Sequence, residues 1–449
     1  MAASPALALA SEAGREASAL APQGRSGGVR PGRTPLKEMP LGPGLLSLEV
    51  GLRSRYEYLN NFTVKHYAPG RSDDALLWRG RIGFDYRFQP QARFFVQFQD
   101  ARYWLNRMSI PEFGRTCSYW DEFDLRQAFV EWQRIGGSPF GVKLGRQSLQ
   151  YCGRRLFSPG QWGNVGRFWW DGVRANWEAD AVRLEAFYGQ RVLTEPERWN
   201  WRHHPWHVGA LYLHTKRLPV ELDFFYTIKN DWESLTGERG GRGDEARHTF
   251  GLYAARPPGK GWDWAFFGAG QLGEYGGDDI RAFGLMAQGG YAFPCPGRPR
   301  LGVEFDWGSG DDDPSDGVQG TYDGAFGAMD APYGWMNVVS IKNLQDYVLK
   351  AFVHPFRTVE CSAEGHFFRL AQPRDAWHWP SGKAEARDPS GRAGRDLGRE
   401  LDLLCRWRPA GRFELFAGYA HFFPGAAADR LLKQPGGADW AFCQASWSY

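Results

Sequence analysis

Glu400-Leu401-Asp402-Leu403-Leu404-Cys405-Arg406-Trp407-Arg408, then the turn Pro409-Ala410-Gly411-Arg412, then Phe413-Glu414-Leu415-Phe416-Ala417-Gly418-Tyr419, decides the fold. In steps of two, Leu401, Leu403, Cys405 and Trp407 fall on one side and Glu400, Asp402, Arg406 and Arg408 on the other. Successive side chains of a strand point to opposite faces, so this alternation predicts strands. The final run repeats it, with Ala441, Cys443, Ala445, Trp447 and Tyr449 on one face. The polar face carries full charges, and the sequence closes within a strand on an aromatic residue. An open sheet would leave that edge unpaired. The expectation is an all-β, closed, antiparallel up-and-down transmembrane barrel, apolar toward lipid and charged toward its interior.

The bulk composition agrees. A mean hydropathy of −0.51 suits a barrel, in which only alternate residues meet lipid. No run approaches the roughly 18 consecutive apolar residues of a spanning helix. Lys+Arg at 54 against Asp+Glu at 51 gives a net charge of +3, which excludes the basic excess of a nucleic-acid binder. Residues 1–44 are rich in Ala, Pro, Gly and Arg. They read as a disordered segment, or the remnant of a signal peptide, ahead of a barrel over 45–449. The six cysteines show no metal spacing. Cys361, Cys405 and Cys443 read as small hydrophobes on apolar faces. Cys117 and Cys152, in two long connections on one side, are a candidate disulfide.

Taken in order, connections alternate in length. Residues 135–139, 178–181, 216–219, 256–261, 354–357 and 409–412 are short. Residues 60–74, 106–120, 151–167, 193–206, 230–246, 308–343, 371–396 and 423–438 are long. Tyr275–Asp279 lies on the long side but is brief. About 18 strands of roughly 9–12 residues result, the length that crosses a bilayer at a tilt. Short turns on one side and long loops on the other predict a bacterial outer-membrane location. A propeller or large sandwich would need a Gly/Trp motif repeating every roughly 40–50 residues, or polar outer faces; no such repeat is present and the outer faces are aromatic.

Sorting by face gives inward cations at Arg53, Arg55, Arg79, Arg81, Arg87, Arg174, Arg183, Arg406 and Arg408. Acidic walls stand opposite, at Glu221 with Asp223 and Glu304 with Asp306. Guanidinium groups match carboxylates, so Arg79, Arg81, Arg146 and Arg174 form a candidate selectivity zone. Arg146 shares parity with Val142 and Leu144, so its inward aim requires a bulge or turn. The competing reading is that these charges pair across neighbouring strands and only shape the lumen. Asp311, Asp313 and Asp316, in an acidic Gly-flanked loop, are candidate ligands of a structural calcium; no other cofactor is indicated. Trp169, Trp170, Trp377 and Trp379, at or in long loops, are candidates to stack on sugar rings.

Four stretches carry a family resemblance. They are Lys143-Leu144-Gly145-Arg146-Gln147; Trp162-Gly163-Asn164-Val165-Gly166-Arg167 followed by Asp171-Gly172-Val173-Arg174; Ser309-Gly310-Asp311 with Thr321-Tyr322-Asp323; and Gly418-Tyr419-Ala420-His421-Phe422-Phe423-Pro424-Gly425. In this order and spacing they resemble the alginate export porins. The resemblance implies an 18-stranded outer-membrane barrel that passes an anionic polysaccharide or oligosaccharide by passive diffusion past arginines. Its implied surroundings are membrane lipid and lipopolysaccharide, with periplasmic export or assembly factors as further partners. Three alternatives stand beside it: a general or carbohydrate-selective porin with another substrate, an outer-membrane hydrolase, and a barrel plugged by its own loops. No GxSxG, Walker or HExxH pattern supports an enzyme.

Overall fold

The computed structural model describes residues 36–62, 72–88, 91–105, 119–324, 326–328, 331–380, 384–432 and 436–449. Among them, eighteen long antiparallel strands form one closed barrel. The first, Gly44–Asn60, pairs with the second, Ser72–Phe88, and also with the last, Ala438–Ser448. The seam runs from Gly51 opposite Ser448 to Asn60 opposite Asp439. Tyr449 extends it, its N–H donating to the Val50 carbonyl at 2.8 Å. First and last strands are thus paired to each other, as the aromatic terminal strand predicts.

The alternation reads directly as inside and outside. On the strand Asp396–Ala410, Leu403 is 45% exposed on the outer face while Glu400 is 1% exposed within. Hydrophobes outside and charges inside reverse the order of a soluble protein, as hydrocarbon around the wall requires. Met39–Leu41 folds back on Gly44–Leu46, so regular structure starts inside the stretch expected to lack it. Residues 1–35, with their disorder and signal-peptide reading, lie outside the described residues. The brief Tyr275–Asp279 connection is a two-residue turn in which Gly276 and Gly277 have φ of 59° and 90°. Such turns match the twist of paired strands and need glycine-like backbone freedom. A seven-residue helix, Ala426–Leu432, interrupts the last long loop, where the sequence showed only Gly/Pro-rich chain.

Two cysteine readings change. Cys361 and Cys405 face each other in register on neighbouring strands, Cα atoms 4.2 Å apart, and form a disulfide. Period two places each on the outer face but does not reveal that the register aligns them. Cys152 is a buried free thiol, and Cys117 lies outside the described residues.

The principal core is inside the barrel. The loop 148–169 folds into the lumen, and so do the described residues of 309–343. Phe157 of the first stacks on Phe326 of the second at 5.0 Å between ring centroids, with Trp170 5.2 Å from Phe326. A second cluster surrounds Trp162, with Trp335 at 4.9 Å and the wall residues Phe442 and Phe416 at 5.0 and 5.9 Å. These edge-to-face contacts stabilise beyond the area they bury.

Candidate permeation site

Arg53, Arg55, Arg79 and Arg81, on the first two strands, do not line an open ring; they clamp the first inward loop. Arg53 donates from both terminal nitrogens, to the carbonyls of Gln161, Trp162 and Gly163 at 3.1–3.2 Å and to Asn164 Oδ1. Arg55 donates to the Trp162 carbonyl at 2.9 Å, pairs with Glu57 at 2.7 Å and lies 3.9 Å from the Trp162 ring centroid. Arg79 holds the carbonyls of Gln161 and Gly163, and Arg81 the Gln161 side chain at 3.1 Å. Asn164 answers from the loop, donating from Nδ2 to the carbonyls of Trp78, Arg102 and Tyr119 at 2.8–3.0 Å. A loop apex in a lumen has buried carbonyls without partners of its own, and the five-donor guanidinium supplies them.

Arg146 is buried as well. It grips Asp171 through two bonds, at 2.9 and 3.0 Å, and donates to the Leu125 carbonyl. Its register with both neighbouring strands is unbroken, so it keeps the parity of outward Leu144 and Val173 and is covered from that side, with the Trp201 ring 6.0 Å away. Gly145 has φ of 118°, and a side chain there would meet the Ala128 carbonyl oxygen at 2.3 Å. On the facing strand a bulge at Arg126 shifts the register with Ala92–Trp104 instead.

The second loop is held by the opposite charge. The N–H groups of Trp335 and Met336 point to the carboxylates of Asp402 and Glu400, Met336 at 2.8 Å. Asp323 pairs with Lys229 at 3.2 Å and Lys342 at 3.5 Å. Arg155, from the first loop, pairs with Glu304 and, at 2.8 Å, with Asp306 on the wall. Its guanidinium also lies 5.1 Å from the Tyr333 ring, linking both loops to one strand.

The remaining sequence-selected arginines, Arg87, Arg174, Arg183, Arg406 and Arg408, lie toward the short-turn side. Arg87 pairs with Asp85, Arg174 and Arg183 with Glu185, and Arg406 and Arg408 with Glu414. In most of these pairs the cation is the member that water meets. Side-chain exposure is 49% for Arg87 against 5% for Asp85, 28% for Arg183 against 3% for Glu185, and 32% for Arg408 against 17% for Glu414. The same order holds for Arg300 over Asp263 and Lys350 over Glu304; Arg406 with Glu414 is even. In the Arg87, Arg183 and Arg408 pairs the cation is the more exposed member, while Glu221, on the same inward face as Asp223, is an exposed anion.

The three aspartates of the acidic loop are engaged within that loop. Asp313 Oδ1 accepts from the N–H and hydroxyl of Ser315, Asp316 Oδ1 from the Val318 N–H, and Asp311 Oδ1 from the Asp313 N–H. The three carboxylates thus brace their own loop. Among the described residues no three acidic, His or Cys groups converge to hold an ion. Three of the four sugar-stacking tryptophans are excluded: Trp169, Trp170 and Trp377 are buried in packing, and Trp379 is partly exposed. Asn164, Arg155 and Asp323 carry the site's architecture and were not singled out for it. The signal was the apolar density of their loops, too high for chain that reaches into water: Phe157, Trp162, Val165 and Phe168 in one, Phe326, Trp335, Val338 and Ile341 in the other.

One pH-sensitive contact sits outside the wall. Glu238, in the loop 237–241, accepts from the Gly317 N–H at 3.3 Å beneath the second long loop. Burial and then the neighbouring Asp311 carboxyl push Glu238 up to about 8; burial raises Asp311 too. A carboxyl raised on folding favours the docked state while protonated. That contribution is complete below the ordinary carboxylate range and is lost as pH rises through about 8. Tryptic cleavage after Arg239 is therefore expected to accelerate more between pH 7 and pH 9 in the native chain than in Glu238→Gln. Equal acceleration in both would contradict the shared proton.

A closed barrel of this size, apolar outside and wet and charged within, defines an outer-membrane transport channel. The chain matches the family model described as alginate export over residues 45–435, and it belongs to that family. No curated protein matches it. Its fold is similar to solved outer-membrane proteins of Pseudomonas aeruginosa. The outer membrane protein OpdK is 9% identical with a TM-score of 0.57, covering 90% of this chain and 98% of that one. OccD3 (OpdP) is 10% identical with a TM-score of 0.58, covering 90% and 91%. OccK8 (OprE) is 8% identical with a TM-score of 0.58, covering 90% and 98%.

Proposed function

We propose that this channel passes anionic saccharides, alginate-like oligouronates or polyuronates, by passive diffusion. The carrying observation is the layering of the ion pairs: on the short-turn side, arginines face the water and their carboxylates lie beneath. A solute carboxylate meets guanidinium forks already oriented by buried partners, which favours anions without fixing them in place. The clamped first loop narrows the path and keeps it narrow, so passage is selective by shape as well as charge.

The test is current block in planar bilayers. An oligouronate is expected to interrupt the current at concentrations where a neutral maltooligosaccharide of equal length does not. The triple variant Arg87→Glu/Arg183→Glu/Arg408→Glu is expected to lose the block by about tenfold or more. Equal block by the neutral sugar would favour a general saccharide porin. Because both inward loops are tightly held, a plugged barrel is the second reading, and a chain that inserts but carries no current would establish it.

A further inference from the structure

We infer that the outer face of the barrel carries a binding site for a phosphorylated glycolipid of the outer leaflet, formed by Arg369, Arg395 and Arg399. These residues stand at the long-loop ends of two neighbouring strands, Val359–Leu370 and Asp396–Ala410, and just above them. Long loops mark the external side of such barrels, so the site is level with the outer-leaflet headgroups.

Parity puts Arg369 and Arg399 on the lipid-facing side of the wall. Phe367, two residues before Arg369, is 40% exposed, and Leu401, two residues after Arg399, is 39% exposed. Phe367 and Arg399 are register partners, so Arg369 is the diagonal neighbour of Arg399, their backbones about 7–8 Å apart. Phe423, the partner of Arg399 on the other side, is 50% exposed. Two guanidinium groups thus crown a patch of lipid-facing aromatics and leucine.

Their charge is not neutralised by the protein. All three arginines are exposed, and among the described residues none forms an ion pair. Arg399 lies over the Phe367 ring at 5.8 Å. Asp396, opposite Arg369 in register, turns its carboxylate to Gly425 instead. Elsewhere on the outer face charges pair locally, as Arg281 does with Asp279 at 3.1 Å. An arginine at this depth costs little by itself, and the anion nearest to it there is a lipid phosphate. Phosphate suits an arginine pair through charge-assisted forked bonds, and acyl chains suit the apolar strip below. A soluble polyanion would match the charges but not that strip, so the lipid is the better fit.

The test is native mass spectrometry of the refolded barrel with bisphosphorylated lipid A and with its dephosphorylated form. The wild-type chain is expected to retain the phosphorylated lipid. Arg369→Gln/Arg399→Gln is expected to bind it about tenfold more weakly, and Arg369→Lys/Arg399→Lys should recover part of the loss. Heat-modifiable gel mobility of each variant confirms that the barrel is intact. Equal retention by wild type and the Gln variant overturns the inference. So does Arg369- and Arg399-dependent binding of inorganic phosphate or an oligouronate that matches lipid A in strength. Neither outcome bears on lumen selectivity, which the bilayer measurements read separately.

Discussion

Arg155→Leu is expected to destabilise the folded barrel by about 3–5 kcal/mol, the cost of breaking a buried ion pair from one side. Glu304 would keep Lys350, 2.8 Å away. Asp306, fully buried, would lose its ion-pair partner and stand as an uncompensated charge among apolar loop residues. The contact from Arg155 to Tyr333 would go with it, loosening the second loop from the first. The urea midpoint, read as loss of the fast-migrating unheated band, should fall accordingly. Adding Asp306→Asn should restore much of the loss, because the two residues are directly coupled. A wild-type midpoint for Arg155→Leu would show that this pair does not anchor the loops.

The second large effect concerns the clamp. Asn164→Ala removes an amide whose two N–H groups are shared among three carbonyls, and Arg79→Met removes one of the two guanidinium groups on the Gln161 and Gly163 carbonyls, leaving them to Arg53 alone. Leaving buried acceptors unmet costs about 1–3 kcal/mol each. The double variant should therefore let the apex Gln161–Asn164 leave the lumen for part of the time. Single-channel records should show a unit conductance raised severalfold, with added current noise. Unchanged conductance would mean that the loop does not narrow the path.

The barrel itself was legible because it rests on local signals. Alternation along Glu400–Arg408 sets inside and outside, and turn length sets the sidedness. Arg146 keeps the outward parity of its place in the sequence, paired with Asp171 rather than turned into the lumen. What could not be read was the destination of the long loops. Arg53, Arg55, Arg79 and Arg81 point inward in the sequence exactly as Arg87 and Arg408 do. Only the fold brings Gln161–Asn164 across about 80–110 positions of chain to cover the first four and leave the others wet. The Cys361–Cys405 disulfide was hidden for a related reason, since strand register is a non-local property.

The central claim is that water in this lumen meets cations whose carboxylate partners lie beneath them. The most direct measurement is the zero-current potential of the refolded chain in a planar bilayer under a potassium chloride gradient. The expected sign is that of chloride preference, reversed in Arg87→Glu/Arg183→Glu/Arg408→Glu. A potential of the sign given by potassium preference in the unmodified protein would contradict the account.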